Sequence, residues 1–282
     1  MYEQHEMAVG MADRDYRQSA GISSSMIRSY ALEGPWLCYH RYVAKDMEPL
    51  DSDAKRLGRA FHLAMAWPDG WKDKVRLLPG EVGGEDLNLR KPAHREWKRR
   101  HEEDARLHGL ELIGNGEWQQ LQGMIESVYA NPAAAQFVGR GAMVETAGFA
   151  QYGASSGDSV RVKALADLLI DDVVVDFETT RHALARDFRR DAYYKGYNFQ
   201  AAHYLDVFQR SQFVIITVRS EYPYESNCYQ FSADKLVRAR KSNAYTLDRI
   251  ADNMRLGVDA ASWHSDGWGD VTCLEFVEEF PH

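Results

Sequence analysis

The hydrophobic and polar positions divide the chain into a helical first half and a second half that opens with strands. In the first half, apolar residues recur with helical spacing. The predicted helices are the serine-capped stretch ISSSMIRSYALE, ended by Gly34 and Pro35, the segments near 53–66, 93–108 and 116–129, and a short helix after Pro132. Residues 68–92, rich in glycine, proline and charge, predict an irregular insertion. The polar, aperiodic residues 1–20 predict a flexible arm.

Alternation with a period of two residues marks the second half. It predicts strands near 143–151, 159–170 and 173–178. The elements expected after them are helices near 183–190 and 193–210, a central strand in the apolar run QFVIITVRS, a further strand near 224–231 and a long helix near 233–255. This order predicts the α/β fold class, with a mixed β-sheet flanked by helices and a helical N-terminal part.

The stretch VRVKALADLLIDDVVVDFETT sets two acids where a hairpin would normally carry neutral residues. We expect a two-residue turn at Asp171-Asp172. This register places Asp167 directly opposite Asp176, with Cβ atoms about 5 Å apart, and Glu178 one diagonal step from Asp167. Like charges in direct opposition destabilise a sheet, so a shared proton or a divalent cation such as Mg²⁺ or Mn²⁺ should compensate. The alternative is a longer turn, or an acid that faces solvent at the sheet edge.

Two further segments carry polar residues that could assist the acids. Gln200 and Tyr204 lie one turn apart on the helix predicted over YYKGYNFQAAHYLDVF, so they could position a phosphate or brace a carboxylate. Burial with backbone partners is the alternative for both. His62 follows Gly58 by one turn in KRLGRAFHLAM, and the small glycine leaves room for the imidazole to turn toward a ligand. A structural histidine is the alternative here.

Composition limits the classes of protein that fit. Of the 282 residues, 45% are hydrophobic, and no apolar run is long enough to cross a bilayer. The three cysteines are widely spaced without a CxxC, which argues against disulfides and a zinc knuckle and fits a cytoplasmic protein. The net charge of -8 argues against a general nucleic-acid coat, although a local basic track remains compatible with it. One basic cluster, RHALARDFRR, is either such a track or a solvated helix face.

The order of these residues resembles the PD-(D/E)xK nucleases of the RecB-like branch, and the similarity is greatest to the RecE-type exonucleases of phages and prophages (exodeoxyribonuclease VIII). It extends from about Ile22 to Arg255. The matching segments are ISSSMIRSY with CYHRY, LGRAFHLAM, EWKRRHEEDARLHGLELI and GYNFQAAHYLD, in addition to the two acids. The resemblance implies a restriction-endonuclease-like fold. It divides the chain into an arm (1–20), a helical region (21–140), a nuclease core (141–258) and a tail (259–282).

The resemblance also implies metal-dependent hydrolysis of DNA phosphodiesters at duplex ends. It assigns the metal, Mg²⁺ or Mn²⁺, to His62, Asp167 and Asp176, and the ordering of the active site to Gln200 and Tyr204. Arg181, Arg186 and Arg189 are expected to contact the DNA backbone beside the site. A homo-oligomer, a single-strand annealing protein as partner, and phage-type recombination in a bacterial cytoplasm are further expectations of the same kind.

One departure from the family pattern concerns the chemistry itself. The family carries a lysine two residues after the second acid, and this position is Glu178 here. Glu178 could act as general base or bind a second cation. A lysine from elsewhere, Lys163 or Lys195, could replace the missing charge. In the third interpretation the protein is a catalytically impaired nuclease fold that acts as a DNA-binding or protein-interaction module. A metal-free acid/base enzyme that uses Asp167 and Asp176 has no support beyond the two acids.

Overall fold

The computed structural model describes residues 1–48, 51–139, 141–182, 184–256 and 263–264. The strands are β1 (Tyr2–Ala8), β2 (Ile22–Ser23), β3 (Val75–Leu77), β4 (Glu81–Val82), β5 (Glu85–Asp86), β6 (Glu111–Ile113), β7 (Met143–Gly153), β8 (Ser159–Ile170), β9 (Val173–Thr180), β10 (Gln212–Arg219) and β11 (Ser226–Gln230). The helices are α1 (Asp13–Gln18), α2 (Ser24–Glu33), α3 (Pro35–Cys38), a π-helical turn (Tyr39–Ala44), α4 (Asp53–Ala66), α5 (Trp71–Lys74), α6 (Pro92–Leu107), α7 (Asn115–Ala130), α8 (Pro132–Ala135), α9 (Ala185–Tyr194), α10 (Tyr197–Phe208) and α11 (Ala233–Leu256).

A seven-stranded mixed sheet organises these elements. Its order is β1-β7-β8-β9-β10-β11, and β2 pairs with β8 beside this path. The pairs β9–β10 and β2–β8 are parallel, and the other neighbouring strands are antiparallel. Parallel strands need a long crossover connection, which α9 and α10 supply between β9 and β10. The predicted α/β class, a mixed sheet flanked by helices, is confirmed.

Helices cover both faces of the sheet, and this explains the apolar runs in β9 and β10. Val174 and Ile215 face a core that includes residues of α2, α10 and α11. Val175 and Phe177 face a second core that includes residues of α4 and α7. Successive strand residues point to opposite faces, so a strand buried on both sides reads as a continuous hydrophobic run.

The hairpin of β8 and β9 has the predicted turn and register. Its ladder runs from Ile170 paired with Val173 to Leu168 paired with Val175, where it ends. Asp171 adopts a φ of 49°, in the left-handed region that aspartate tolerates better than most residues. Asp167 and Asp176 would form the next pair, but the ladder stops one step before them.

Beyond this point β8 and β9 separate, and β2 pairs with β8 at Val162 and Lys163. Strict alternation would put Ala166 and Leu168 on one face. Instead Ala166 packs in the core of α10, and Leu168 packs in the core of α4. The side-chain alternation of β8 is therefore interrupted at Asp167, which is also where the strand leaves its partner.

The prediction of a flexible arm over residues 1–20 is wrong. Strand β1 pairs antiparallel with β7 and extends the sheet. The C-terminal end of α1 is held by Lys163, whose Nζ donates to the carbonyl oxygens of Tyr16 at 2.9 Å and Ser19 at 2.7 Å. The segment is polar because it lies at a sheet edge, where backbone pairing gives order without an apolar face.

The predicted insertion contains short regular elements. Residues 68–92 hold α5, β3 and the short pair of β4 with β5, so the predicted irregular region contains small elements. The predicted tail, residues 259–282, lies outside the described residues except for Trp263 and His264. Within the described ranges, no helix combines the length and apolar character that a membrane span requires.

Candidate active site

Asp167 lies at the point where β8 and β9 separate and bonds to two other elements. Its Oδ2 accepts a hydrogen bond from the backbone N–H of Phe177 at 2.7 Å. Its Oδ1 lies 3.2 Å from Nδ1 of His62 on α4. The carboxylate therefore replaces the missing backbone ladder with a side-chain bond to β9, and it joins the sheet to α4.

His62 reaches the acids because α4 crosses β9 at close range. Phe61 and Phe177 pack edge to face, with ring centroids 5.9 Å apart. A Cβ on Gly58 would lie 3.6 Å from Oγ1 of Thr179, so this glycine faces β9. Gly58 thus allows α4 to pack closely on β9. The contact between Phe61 and Phe177 places His62 next to Asp167.

Asp176 is buried on the opposite side of the strand from Phe177, and its Oδ1 accepts a hydrogen bond from Nε2 of Gln200 at 2.9 Å. Oε1 of Gln200 in turn accepts from Nη1 of Arg28 on α2, also at 2.9 Å. A guanidinium only donates and a carboxylate only accepts, so this chain of bonds admits a single orientation of the Gln200 amide. The predicted glutamine is therefore in contact with the predicted acid.

Glu178 belongs to the same cluster although it is half-buried rather than buried. The hydroxyl of Tyr197, the first residue of α10, donates a hydrogen bond to its carboxylate. Its charge acts on Asp176 and on His62. Glu178 thus lies among the other acids of the cluster.

The electrostatics of the cluster are those of crowded negative charge. Burial raises the pKa of Asp176 well above its usual range, and the charges of Asp167 and Glu178 raise it further. Burial also raises the pKa of Glu178, against the favourable charges of His62, Lys195 and Arg28. Burial alone would lower the pKa of His62, but Asp167, Glu178 and Asp176 outweigh it and raise that pKa to about 9.

Tyr204 occupies a different environment from Gln200. It is buried, and its ring packs edge to face against Phe208 and Phe213, with centroids 6.1 and 6.0 Å away. Its hydroxyl forms a hydrogen bond with the side chain of Ser24 at the start of α2. The contacts of Tyr204 therefore join α10 to α2 behind the acids.

The predicted cations differ in their partners. Arg181, Arg186 and Arg189 are exposed on α9 and the segment before it, without a hydrogen bond to the three acids among the described residues. Lys195 pairs with Asp191 at 2.8 Å and lies close enough to act on Glu178. Lys163 donates to carbonyl groups at the C-terminal end of α1, and burial lowers its pKa to about 8. Lys163 is thus engaged away from the site.

Two residues of the cluster were missed by sequence reasoning. Arg28 lies in the ISSSMIRSY segment, and Tyr197 precedes the Gln200 helix turn. Tyr197 shares a helix face with Gln200, so helical spacing could have indicated it. Arg28 is 172 residues from Gln200, and no local pattern connects the two.

The side chains of the cluster include possible ligands for a divalent metal. Within the described chain, no three His, Cys, Asp or Glu side chains are arranged as a ready metal-binding group. His62 and Asp167 bond to each other, and Asp176 bonds to Gln200, so some ligand atoms are already engaged. The carboxylate chemistry nevertheless fits. Two carboxylates suit Mg²⁺ or Mn²⁺, and a cation would relieve the repulsion that adds to burial in raising the pKa of Asp176.

The fold is a mixed sheet flanked by helices, in which two central strands separate at the acids and α10 places Gln200 beside them. This arrangement is that of the restriction-endonuclease-like fold. The family comparison agrees with this class. The model described as PDDEXK-like domain of unknown function (DUF3799) matches residues 42–261. The chain belongs to this PDDEXK-like family.

Comparison with solved structures supports the same fold. The crystal structure of a protein named "Putative exonuclease" from Eubacterium rectale is similar with a TM-score of 0.57 and 13% identity, over 86% of each chain. The crystal structure of SSO0001 is similar at a TM-score of 0.29 and 11% identity, over 78% of this chain and 84% of that one, which is too low to support an argument. No curated protein matches the chain with significance.

Proposed function

We propose that this protein is a metal-dependent DNA exonuclease that hydrolyses phosphodiester bonds at duplex ends. The observation that carries the proposal is the convergence of His62, Asp167 and Asp176 where β8 and β9 separate. The nuclease class follows from the family, and nucleases of this class generally use divalent metals such as Mg²⁺. The preference for ends is supported by the RecE-type sequence resemblance and by the name of the Eubacterium rectale protein.

The chain's own residues have separate tasks in this proposal. His62, Asp167 and Asp176 would hold Mg²⁺ or Mn²⁺, which supplies an activated water and neutralises the scissile phosphate. Gln200 keeps Asp176 in one orientation through its Nε2 bond. Tyr204 holds α10 on α2, so it maintains the helix that presents Gln200.

Glu178 would act as general base or hold a second cation. Two interactions support this role. Tyr197 forms a hydrogen bond with the carboxylate of Glu178, and the charge of His62 acts on the same carboxylate. Burial raises its pKa, which makes a carboxylate a better proton acceptor near neutral pH. The engagement of Lys163 with the chain after α1 argues against a replacement lysine from that position.

A digestion experiment tests the proposal. Linear duplex DNA and covalently closed circular DNA of the same sequence are incubated with the protein and Mg²⁺ or Mn²⁺. We expect linear DNA to be degraded and circular DNA to persist. Asp176→Asn should lower the rate at least about 10³-fold, whereas Asp171→Asn, the same change in an exposed turn, should leave it unchanged. Digestion of circular DNA would contradict the end preference, and inactivity toward both substrates would contradict the nuclease proposal.

One observation favours a second candidate function. Glu178 reverses the charge at the family's lysine position, which would suit a catalytically impaired module that binds DNA or protein. Glu178→Lys separates the two candidates. If the lysine variant cuts and the wild type does not, the protein is a silenced nuclease. If the wild type cuts, this candidate is rejected.

The wider role follows from the resemblance. We propose that the protein acts in phage-type recombination as a homo-oligomer beside a single-strand annealing protein, with Arg181, Arg186 and Arg189 on the DNA backbone. The exposure of the three arginines supports DNA contact. Such binding should weaken steeply with salt, because each neutralised phosphate releases counterions.

A further inference from the structure

Arg28 occupies a position that the nuclease proposal leaves unassigned. It projects from α2 and donates to Oε1 of Gln200 at 2.9 Å. Its guanidinium also lies 5.9 Å from the ring centroid of Tyr197. Gln200 is the partner of Asp176, and Tyr197 is the partner of Glu178. Arg28 therefore touches the immediate neighbours of both acids of β9.

The charge of Arg28 acts on both acids of β9 and on Glu33 of its own helix, and among the described residues it forms no ion pair with any of them. Its field stabilises the carboxylates of both Asp176 and Glu178. No carboxylate of the described chain forms an ion pair with it, and the hydrogen bond to Gln200 leaves most of its five N–H donors for other acceptors. In contrast, Lys195 is exposed and already paired with Asp191.

The backbone is shaped to bring α2 this close. Gly196 has a φ of 67° and lies between α9 and α10. A Cβ at this position would lie 2.9 Å from Cδ1 of Leu32 and 3.3 Å from Cδ of Arg28. The glycine thus lets the stem of Arg28 pass directly over the start of α10.

We propose that Arg28 supplies, from α2, the positive charge that the family's lysine supplies from the strand, and that its free N–H donors bind the scissile phosphate. The proposal rests on the nuclease function proposed above. It explains how a chain with Glu178 in the lysine position keeps a cation at the site. Position 178 carries a negative charge in place of the lysine, and Arg28 on α2 carries the positive charge. The guanidinium thus takes the place of the ammonium, and Glu178 is available as a base.

The guanidinium suits this role for a chemical reason. Its planar set of N–H groups can bond Gln200 on one side and a phosphate oxygen on another, whereas a lysine is a single point charge. Gln200 fixes the guanidinium and the guanidinium fixes the Gln200 amide, so both groups are pre-oriented before DNA arrives. Pre-oriented donors at a developing negative charge commonly contribute 10²-fold or more to a rate.

The test compares wild type with Arg28→Met, Arg28→Lys and the double variant Arg28→Met/Glu178→Lys on linear duplex DNA with Mg²⁺. We expect Arg28→Met to cut about 10²-fold more slowly than wild type. Arg28→Lys keeps a charge and should stay within about tenfold. The double variant, which returns the lysine to the strand, should also recover to within about tenfold. Arg161→Met is the matched control. Arg161 lies on β8 away from the acids, and its guanidinium likewise lies over an aromatic ring, that of Phe149 on β7.

A second readout separates charge from structure. Mn²⁺ binding without DNA is measured by calorimetry for wild type and Arg28→Met. Removal of a neighbouring cation should leave the Mn²⁺ affinity equal or raise it by up to about tenfold, since like charges repel. Weaker Mn²⁺ binding in Arg28→Met would mean that Arg28 merely supports the fold, and the proposal would be wrong.

The remaining outcomes are equally decisive. Wild-type cleavage by Arg28→Met overturns the Arg28 proposal while the nuclease proposal stands. Failure of the double variant to exceed Arg28→Met also overturns it. If wild type does not cut linear duplex DNA, the nuclease proposal fails and the role of Arg28 falls with it.

Discussion

Asp167 and Asp176 show how two identical side chains acquire different properties from their surroundings. Asp167 accepts a backbone N–H and lies beside His62, so its charge has partners on two sides. Asp176 is buried with a single amide donor, and its pKa rises well above the usual range. The repulsion between two acids at one spot costs stability, and perturbed carboxyl groups of this kind are common at functional sites.

The first residue-scale prediction concerns this cost. A carboxyl whose folded-state pKa is raised destabilises the protein at neutral pH, because the unfolded chain ionises more easily. Asp176→Asn removes the charge, and its amide oxygen can still accept the Gln200 bond. We expect the free energy of unfolding at pH 7.5 without metal to rise by about 1 kcal/mol, or about 3 °C in melting temperature. Calorimetry measures this, and a lower melting temperature than wild type would contradict it.

The second residue-scale prediction concerns Glu178. Glu178→Gln keeps an acceptor for the Tyr197 hydroxyl but can no longer take a proton. If Glu178 is the base, cleavage should fall about 10²-fold, while the melting temperature stays at or above that of wild type. Rates on linear duplex DNA and thermal denaturation of the same samples check this. Cleavage at the wild-type rate would exclude a catalytic role for the carboxylate.

At the scale of elements, the separation of β8 and β9 is the feature that makes the site. Three backbone pairs hold the hairpin near its turn. Beyond them, the side chain of Asp167 bonds Phe177, and β2 takes the free edge of β8. The space between the strands is filled by α10 on one face, which presents Gln200, and by α4 on the other, which presents His62. The cluster therefore draws residues from both strands and from the helices on both faces of the sheet.

The element-scale prediction compares two glycines with the same backbone conformation. Gly196 and Gly109 both have a φ of 67°. A Cβ on Gly196 would come within 2.9 Å of both Leu32 and Phe199, whereas nothing lies within 4 Å of one on Gly109. Gly109→Ala should cost about 1 kcal/mol from the left-handed conformation alone, and Gly196→Ala about 3 kcal/mol because overlap is added. Urea unfolding measures both values. Equal costs would show that α2 does not pack closely on α10.

At the scale of the whole molecule, His203 connects three parts of the chain. It is fully buried, and its Nε2 lies 3.0 Å from the carbonyl oxygen of Lys163 on β8. A carbonyl only accepts, so Nε2 carries the proton and Nδ1 accepts from the Tyr2 hydroxyl, 3.0 Å away. The neutral imidazole thereby fastens β1 to α10 and to the centre of the sheet.

This arrangement predicts how stability depends on pH. Burial lowers the pKa of His203 to about 4, below the usual value near 6.5. Between these values the unfolded chain binds more protons, so stability falls as the pH falls through this window. From pH 7.5 to 5, the free energy of unfolding of wild type should drop about 2 kcal/mol more than that of His203→Gln. Urea unfolding at the two pH values measures the difference, and parallel losses would contradict the prediction.

How much of the molecule the sequence predicted depends on the range of the interactions involved. The turn at Asp171-Asp172, the register of the hairpin and the bounds of α4 followed from patterns within a few residues. The N-terminal arm was predicted wrongly, because β1 owes its order to pairing with β7 and to His203, which are remote in the chain. Edge-strand pairing leaves little trace in a polar segment.

By itself, the sequence determined the order of the main elements after the N-terminal segment, the α/β class and the placement of two acids on neighbouring strands, since alternation and turn chemistry are local properties of the backbone. Only the tertiary structure decided that His62 meets Asp167, that Glu178 turns toward the cluster, and that Arg28 lies against Gln200. These contacts join segments more than a hundred residues apart, and their geometry depends on how helices pack on the two faces of the sheet. No spacing along the chain encodes that packing.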